Sequence, residues 1–271
     1  MLTSLHIYPL KGGRGLDLTA AAVEACGLAG DRRWMLADGN FRFISQREHA
    51  SMARLTVTFG PGGALRVSAQ GHPPLSVPVP DPGPADQVKV TVWGSAVLAA
   101  GAGPEADTWF SAYLGRRARL VYLDDPARRA VDPDYGQPGD VVSFADDFPL
   151  LLTSASSLDQ LGDWLTANGD EPVPMNRFRP NVVVAGFEPW AEDRWRRLRI
   201  GDVPFRVAKP CGRCVVTTTD QFTGVRGPQP LRMLARHRRF GRELVFGQNI
   251  IPETPGHLRV GDPVEITEYA P

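Results

Sequence analysis

Glycine or proline interrupts this chain about every five residues: it has 28 glycines and 25 prolines in a length of 271. Such punctuation leaves room for short strands and turns, and for few helices. Residues 5–8, 33–36, 55–59 and 64–67 read as strands, with Pro61-Gly62-Gly63 as a hairpin signal. Residues 88–93 alternate apolar and polar side chains, as a half-buried strand does. Asp81-Pro82-Gly83-Pro84 reads as a loop. Pro104 opens a helix with Trp109, Phe110, Tyr113 and Leu114 on one face, and Gly115 stops it. A second helix carries Leu158, Leu161 and Leu165 and stops at Asn168-Gly169, and a brief third falls near 229–238. Residues 120–123, 148–152, 181–185, 203–207, 215–219, 258–260 and 264–266 are further strands, the last two flanking the turn Gly261-Asp262-Pro263. Residues 124–148 have little periodicity and predict a domain boundary or a mobile loop. The expected fold is β-rich α+β, with two β-barrel-like modules and a few inserted helices. The modules are expected at 1–125 and 126–271.

Charge excludes some function classes. Lys and Arg together number 30 and match 30 Asp and Glu, so nothing in the bulk charge favours nucleic acid or an anionic membrane. Only Lys11, Lys89 and Lys209 are lysines, so a lone arginine carries little information in this chain. The first residues lack a basic stretch followed by a long apolar run, and no stretch approaches 18 uninterrupted apolar residues. Three cysteines do not make a secreted disulfide framework. A cytoplasmic protein, monomeric by default, without nucleic-acid or membrane partners, is the expectation.

Cys211-Gly212-Arg213-Cys214 is the first chemical anchor. A structural zinc site needs four ligands, and the third cysteine, Cys26, lies far upstream, while His237 and His257 lack the usual spacing. A thioredoxin-like pair belongs at a helix N-terminus, whereas the β-branched run 215–219 favours a strand. Two buried thiols, or one thiolate serving as a soft ligand to a transition metal, remain open. Lys209 and Arg213 bracket the pair and favour a thiolate, and Pro210 and Gly212 imply a rigid turn before the strand.

The second anchor is a set of anion-binding groups spread along the chain. Lys11-Gly12-Gly13-Arg14-Gly15 follows a strand and offers backbone N–H groups, although a plain glycine turn reads equally well. Asp31-Arg32-Arg33-Trp34 brings two guanidinium groups to the start of a strand. Thr153-Ser154 sits where a strand meets a helix, either as an anion site or as an N-cap. Arg177-Phe178-Arg179-Pro180-Asn181 precedes a strand; arginine grips phosphate bidentately, and asparagine can pair with a heterocycle edge.

Taken in order, these pieces resemble the MOSC family, named for the C-terminal domain of molybdenum cofactor sulfurase, together with its N-terminal β-barrel module. The resemblance rests on residues 7–12, 30–36, 45–48, 92–94, 153–158, 178–181, 211–220 and 246–249. The pattern is nearest to bacterial relatives of the mitochondrial amidoxime-reducing component. It implies a molybdopterin cofactor in a cleft between the two modules, with Cys214 as the ligand to molybdenum and Cys211 free of the metal. It places the phosphate and pterin contacts on Lys11, Gly12, Arg32, Thr153, Ser154, Arg179 and Asn181. Animal relatives carry serine at position 12, so at Gly12 only a backbone N–H remains for that contact. The implied activity is two-electron removal of oxygen from small N-hydroxylated compounds, amidoximes and hydroxylamines, with no role for pyridoxal phosphate. The chain stops at Pro271 without the iron–sulfur domain that some relatives append and without a membrane anchor. Electrons are therefore expected from a separate ferredoxin-, cytochrome b5- or flavin-reductase-like protein. Acids near 124–148 are candidates for moving protons. The alternative is a non-catalytic carrier of molybdopterin or of sulfur, with Cys214 as ligand or persulfide.

Overall fold

The computed structural model describes residues 1–81 and 87–270. The expected loop at Pro82-Gly83-Pro84 lies outside the described residues. The described residues are β-rich, with four sheets and three α-helices. Among the described residues no sheet closes into a barrel.

The largest sheet has nine strands. It runs from Val264–Tyr269 through Trp195–Ile200, Val203–Gly212, Glu243–Pro252, Leu150–Ser154 and Val182–Val184 to Leu2–Ile7 and Leu16–Leu18. Arg239–Phe240 pairs alongside Glu243–Pro252. Only Leu150–Ser154 and Val182–Val184 run parallel. Parallel neighbours need a crossover, and the helix Ala155–Ala167 supplies it. The first strands of the chain are thus hydrogen-bonded inside a sheet built mostly from the last half. Leu2, Leu5 and Ile7 share its core with Leu152, Val182, Phe205 and Ile250.

The intervening chain forms a four-stranded sheet, Trp34–Ala37, Arg119–Tyr122, Ser95–Gly101 and Gln87–Val92, and a three-stranded meander from Thr56 to Val77. The first helix, α1 (Pro104–Leu114), lays Trp109 and Phe110 on a second core with Trp34, Leu55 and Leu120. The helix Ala155–Ala167 is α2, and α3 is Leu231–His237. Leu161 and Leu165 of α2 meet Leu234 of α3 over Phe178 and Phe246.

Two local expectations are corrected. The run 215–219 is not a strand: Val215–Thr218 forms a 3-10 turn. Thr217 Oγ1 donates to the Cys214 carbonyl at 2.9 Å and Thr218 Oγ1 to that of Val215 at 2.8 Å. A threonine hydroxyl that bonds back three residues offsets its β-branched preference for strand. The strand expected at 203–207 continues to Gly212, so Cys211 and Gly212 end a strand and Arg213-Cys214 lead into the 3-10 turn.

The segment 124–148 is irregular yet held down. The buried Arg129 guanidinium donates to the carbonyls of Ser143, Ala145 and Asp146. Arg206 pairs with Asp140 at 2.7 Å, and Phe144 is buried in a core with Met35, Val90 and Val121. Such anchoring turns a stretch without periodicity into a fixed wall.

Candidate functional site

Strand ends and loops from both parts of the chain surround a cavity of about 430 Å³. Lys11, Gly12, Arg32, Phe43, Arg47 and Trp93 line it, together with Asp146, Arg179, Lys209 and the Cys211–Cys214 turn. Six cationic side chains face it against three acidic ones, Asp146, Asp147 and Glu243. A surplus of positive charge in a partly enclosed space favours an anionic guest.

Tyr8 organises the cationic end. Its ring lies between the guanidinium groups of Arg32, 4.4 Å from the centroid, and Arg179, 4.1 Å from it. A cation over the electron-rich face of a π-system is stabilised electrostatically. The Tyr8 hydroxyl donates to the Pro180 carbonyl at 3.1 Å, and its backbone N–H donates to Asp31 at 2.7 Å. Burial pushes the phenol up to about 12, against the pull of both arginines. Burial also pushes Arg179 down to about 10. For Arg32 burial is outweighed by Asp31, which keeps the guanidinium charged. Arg32 and Arg179 both adopt positive φ, 47° and 56°. A left-handed backbone costs a non-glycine residue about 1–3 kcal/mol, so the surrounding structure holds both arginines in these conformations.

Lys11 is buried, with Nζ donating to the Phe144 carbonyl at 2.8 Å and paired with the Asp146 carboxylate. Burial pushes its ammonium below the usual range, and Asp146 opposes the shift. Burial acts to raise Asp146, but Lys11, with Arg32 and Arg47, holds that carboxyl well below the usual carboxylate range. Burial and the charge of Asp146 both push Asp147 up. Gly12 has φ 81°, and a Cβ there would meet Met52 Cε at 2.8 Å. A side chain at position 12 therefore needs both strain and a shift of Met52, and the residue offers the cavity its backbone alone.

The cysteine turn owes its aim to a bulge. Pro210 faces Gln248 and Gly212 faces Val245, so the register slips by one residue between them. Gly247 lies in that slip at φ 81°, where a Cβ would come within 2.6 Å of the Leu152 carbonyl oxygen. Bulges of this kind redirect side chains at the ends of strands. Cys211 and Cys214 are free and half-buried, and both line the cavity. Arg213 Nη1 donates to Cys211 Sγ at 2.8 Å and Nη2 to the Phe178 carbonyl at 2.6 Å. Burial pushes the Cys211 thiol up, and Arg213 opposes it. Arg213 Nε is buried without a partner.

The fold thus gathers Lys11, Gly12, Arg32, Arg179, Asn181 and Cys214 around one cavity, though the sequence scatters them over more than 200 residues. Thr153 and Ser154 do not line it. Both are fully buried: Thr153 Oγ1 contacts Met175 Sδ at 3.3 Å, and Ser154 shares a hydrogen bond with Ser156. Neither serves as a side-chain cap of α2. Asn181 does not present its amide to a heterocycle. Its Oδ1 accepts from Arg32 Nη1 and from the Leu151 N–H, each at 3.2 Å, and its Nδ2 donates to the His6 carbonyl at 3.1 Å. It steadies Arg32 instead. Asp146, Arg47, Trp93, Phe43 and Tyr8 complete the site; Tyr8, Arg47 and Trp93 lie in stretches that carry the family resemblance and Asp146 in the acidic segment 124–148, whereas nothing in the sequence singled out Phe43. Among the described residues no group of three or more His, Cys, Asp or Glu side chains could hold a metal ion on its own. No described helix is long and apolar enough to cross a membrane.

Comparison with known proteins places the sequence in a family. The MOSC domain model matches residues 139–265, and the MOSC N-terminal beta barrel domain model matches residues 1–117. The chain is 30% identical over 280 residues to mitochondrial amidoxime-reducing component 1 of Homo sapiens, covering 97% of this chain and 82% of that protein. Mitochondrial amidoxime reducing component 2 of Homo sapiens is 30% identical over 281 residues, with the same coverage, 97% and 82%. Molybdenum cofactor sulfurase of Danio rerio is 28% identical over 254 residues, which is 88% of this chain and 30% of that protein.

Proposed function

The chain belongs to the MOSC family, and from that premise we propose that it is a molybdenum-cofactor-dependent oxidoreductase acting on N-hydroxylated compounds. Its relatives include amidoxime-reducing components and molybdenum cofactor sulfurases. The observation that carries the reading is Cys214, a free thiol on the wall of a cavity that six cations and three acids face.

The residues present fit a cofactor with a phosphate at one end and a thiophilic metal at the other. The cationic surplus and the unpartnered Arg213 Nε suit anionic oxygens. A thiolate suits a soft metal, and one protein ligand suffices when the cofactor brings its own sulfur atoms. When bound, the cofactor supplies two-electron redox chemistry, so that an N–OH compound, two electrons and two protons give the amine or amidine and water.

The chain's own part is binding, orientation and desolvation. Arg32 and Arg179, held by Tyr8, grip the phosphate with Lys11 and the Gly12 backbone N–H. Asn181 keeps Arg32 in place, Cys214 ligates the metal, and Thr153 and Ser154 act from behind the wall. Asp147, raised towards neutrality beside the ionised Asp146, is the acid of the segment suited to carry a proton. Electrons arrive from a separate protein, and the two modules, 1–125 and 126–271, enclose the site between them.

Metal analysis tests the reading. Protein from a host that makes the cofactor is expected to hold about one molybdenum per chain and to reduce benzamidoxime with a reduced viologen dye. Cys214→Ser is expected to lose the metal and the turnover together. Protein that is metal-free and takes up no added cofactor would overturn the proposal; bound cofactor without turnover would point to a carrier.

A further inference from the structure

The hairpin joining Gln87–Val92 to Ser95–Gly101 turns through two residues, Trp93 and Gly94. Tight hairpins put glycine, asparagine or aspartate where φ is positive, because a Cβ is strained there. Here the roles are exchanged: Trp93 takes φ 53°, and Gly94 is not among the positive-φ glycines. A bulky residue in that region is an outlier, and such strain persists where function fixes it. Three of the five non-glycine residues with positive φ, namely Arg32, Trp93 and Arg179, line the cavity.

The turn sets an indole, 38% exposed, on the cavity wall. Trp93 belongs to none of the hydrophobic cores of the described residues. The exposed Arg47 guanidinium lies over its ring at 4.3 Å, and the Phe43 ring packs against it at 4.9 Å with a 53° tilt. Its Nε1 donates to Asp146 Oδ1 at 3.4 Å. Three flat groups, two aromatic rings and a guanidinium plane, therefore meet at one place in the cavity. A flat π-system gains from such surroundings; an alkyl chain of similar polarity does not.

We propose that Trp93, backed by Arg47 and Phe43, is a stacking wall that selects aryl over alkyl substrates at this site. The proposal rests on the reading of the cavity as a site of N–O reduction, and it adds the class of compound: aryl amidoximes and aryl hydroxylamines. Arg32 and Arg179 lie outside this group, but Phe43 and Asp146 also meet Lys11, so molybdenum content is measured beside selectivity in every variant.

The test compares benzamidoxime with acetamidoxime on protein purified with its cofactor. Turnover is read with a reduced viologen dye, and binding by calorimetric titration without reductant. Trp93→Gly is expected to lower the benzamidoxime-to-acetamidoxime ratio of kcat/KM about tenfold and to weaken benzamidoxime binding by a similar factor. Trp93→Asn, which tolerates positive φ and has no ring, is expected to do the same. Trp93→Phe keeps a ring at the turn and is expected to hold the ratio within about threefold. The Tm of Trp93→Gly is expected at or above that of the wild type, because glycine relieves the turn. An unchanged ratio in both ringless variants, or a fall in their Tm that gives the indole a structural role, overturns the wall. Tighter aryl binding by the wild type than by both variants, with no turnover of either compound, supports the wall and removes the functional reading instead. Full turnover with unaltered selectivity does the reverse.

Discussion

Arg32 and Arg179 carry like charges on two faces of one phenol ring, and neither is free to swing away. Arg32 is tied to Asp31 and Asn181, and Arg179 Nη1 donates to the Gly13 carbonyl at 2.7 Å. The ring, not the hydroxyl, provides the cation–π stabilisation, worth up to about 2 kcal/mol for each buried contact. Tyr8→Phe is therefore expected to keep its molybdenum, losing only the hydrogen bond to Pro180, about 1 kcal/mol of stability. Tyr8→Leu removes the π-faces and is expected to purify with a markedly lower molybdenum content at unchanged cysteine content. Metal analysis of the two variants side by side checks this, and equal content in both would assign the ring a packing role only. With the phenol pushed up to about 12, no tyrosinate absorbance from this residue is expected below that range.

At the scale of elements, the strand pair Val203–Gly212 and Glu243–Pro252 delivers the cysteine turn, and its bulge depends on Gly247. Gly247→Ala meets both a positive φ and the Leu152 carbonyl oxygen at 2.6 Å. It is expected to cost about 2–4 kcal/mol in chemical denaturation and to lower molybdenum content through a misaimed Cys214. The sequence shows the cysteine motif and the glycine, but not that the second shapes the first, because the two meet only across a ladder 35 residues wide in chain terms. The helices were legible from their periodicity and their stops. The 3-10 turn Val215–Thr218 was not, since back-bonding threonine hydroxyls defeat a β-branched preference that holds elsewhere. The places of Asp146 and Trp93 were hidden for a related reason: the sequence shows one acid in an aperiodic segment and the last residue of a strand, and only Arg129 and the hairpin carry them to the cavity.

For the whole molecule, the chain is not laid down as two successive sheets. Leu2–Ile7 pairs with Val182–Val184 on one side and Leu16–Leu18 on the other. A fragment of residues 126–271 leaves Leu2, Leu5 and Ile7 out of the main core. It is expected to show no cooperative thermal transition, and to regain one when a peptide of residues 1–30 is added in excess, as circular dichroism would report. Long-range pairing of this kind leaves no local periodic trace, which is why the sequence predicts strands well and their partners poorly. The same pairing bears on biosynthesis. Leu5 waits for Val182, and at ordinary ribosomal speeds that interval is roughly 10 to 35 seconds. For that time an apolar edge, ready to accept any passing strand, travels unprotected outside the exit tunnel, so yield in the cell is expected to follow the supply of holdase chaperones more closely than the equilibrium stability of the finished protein.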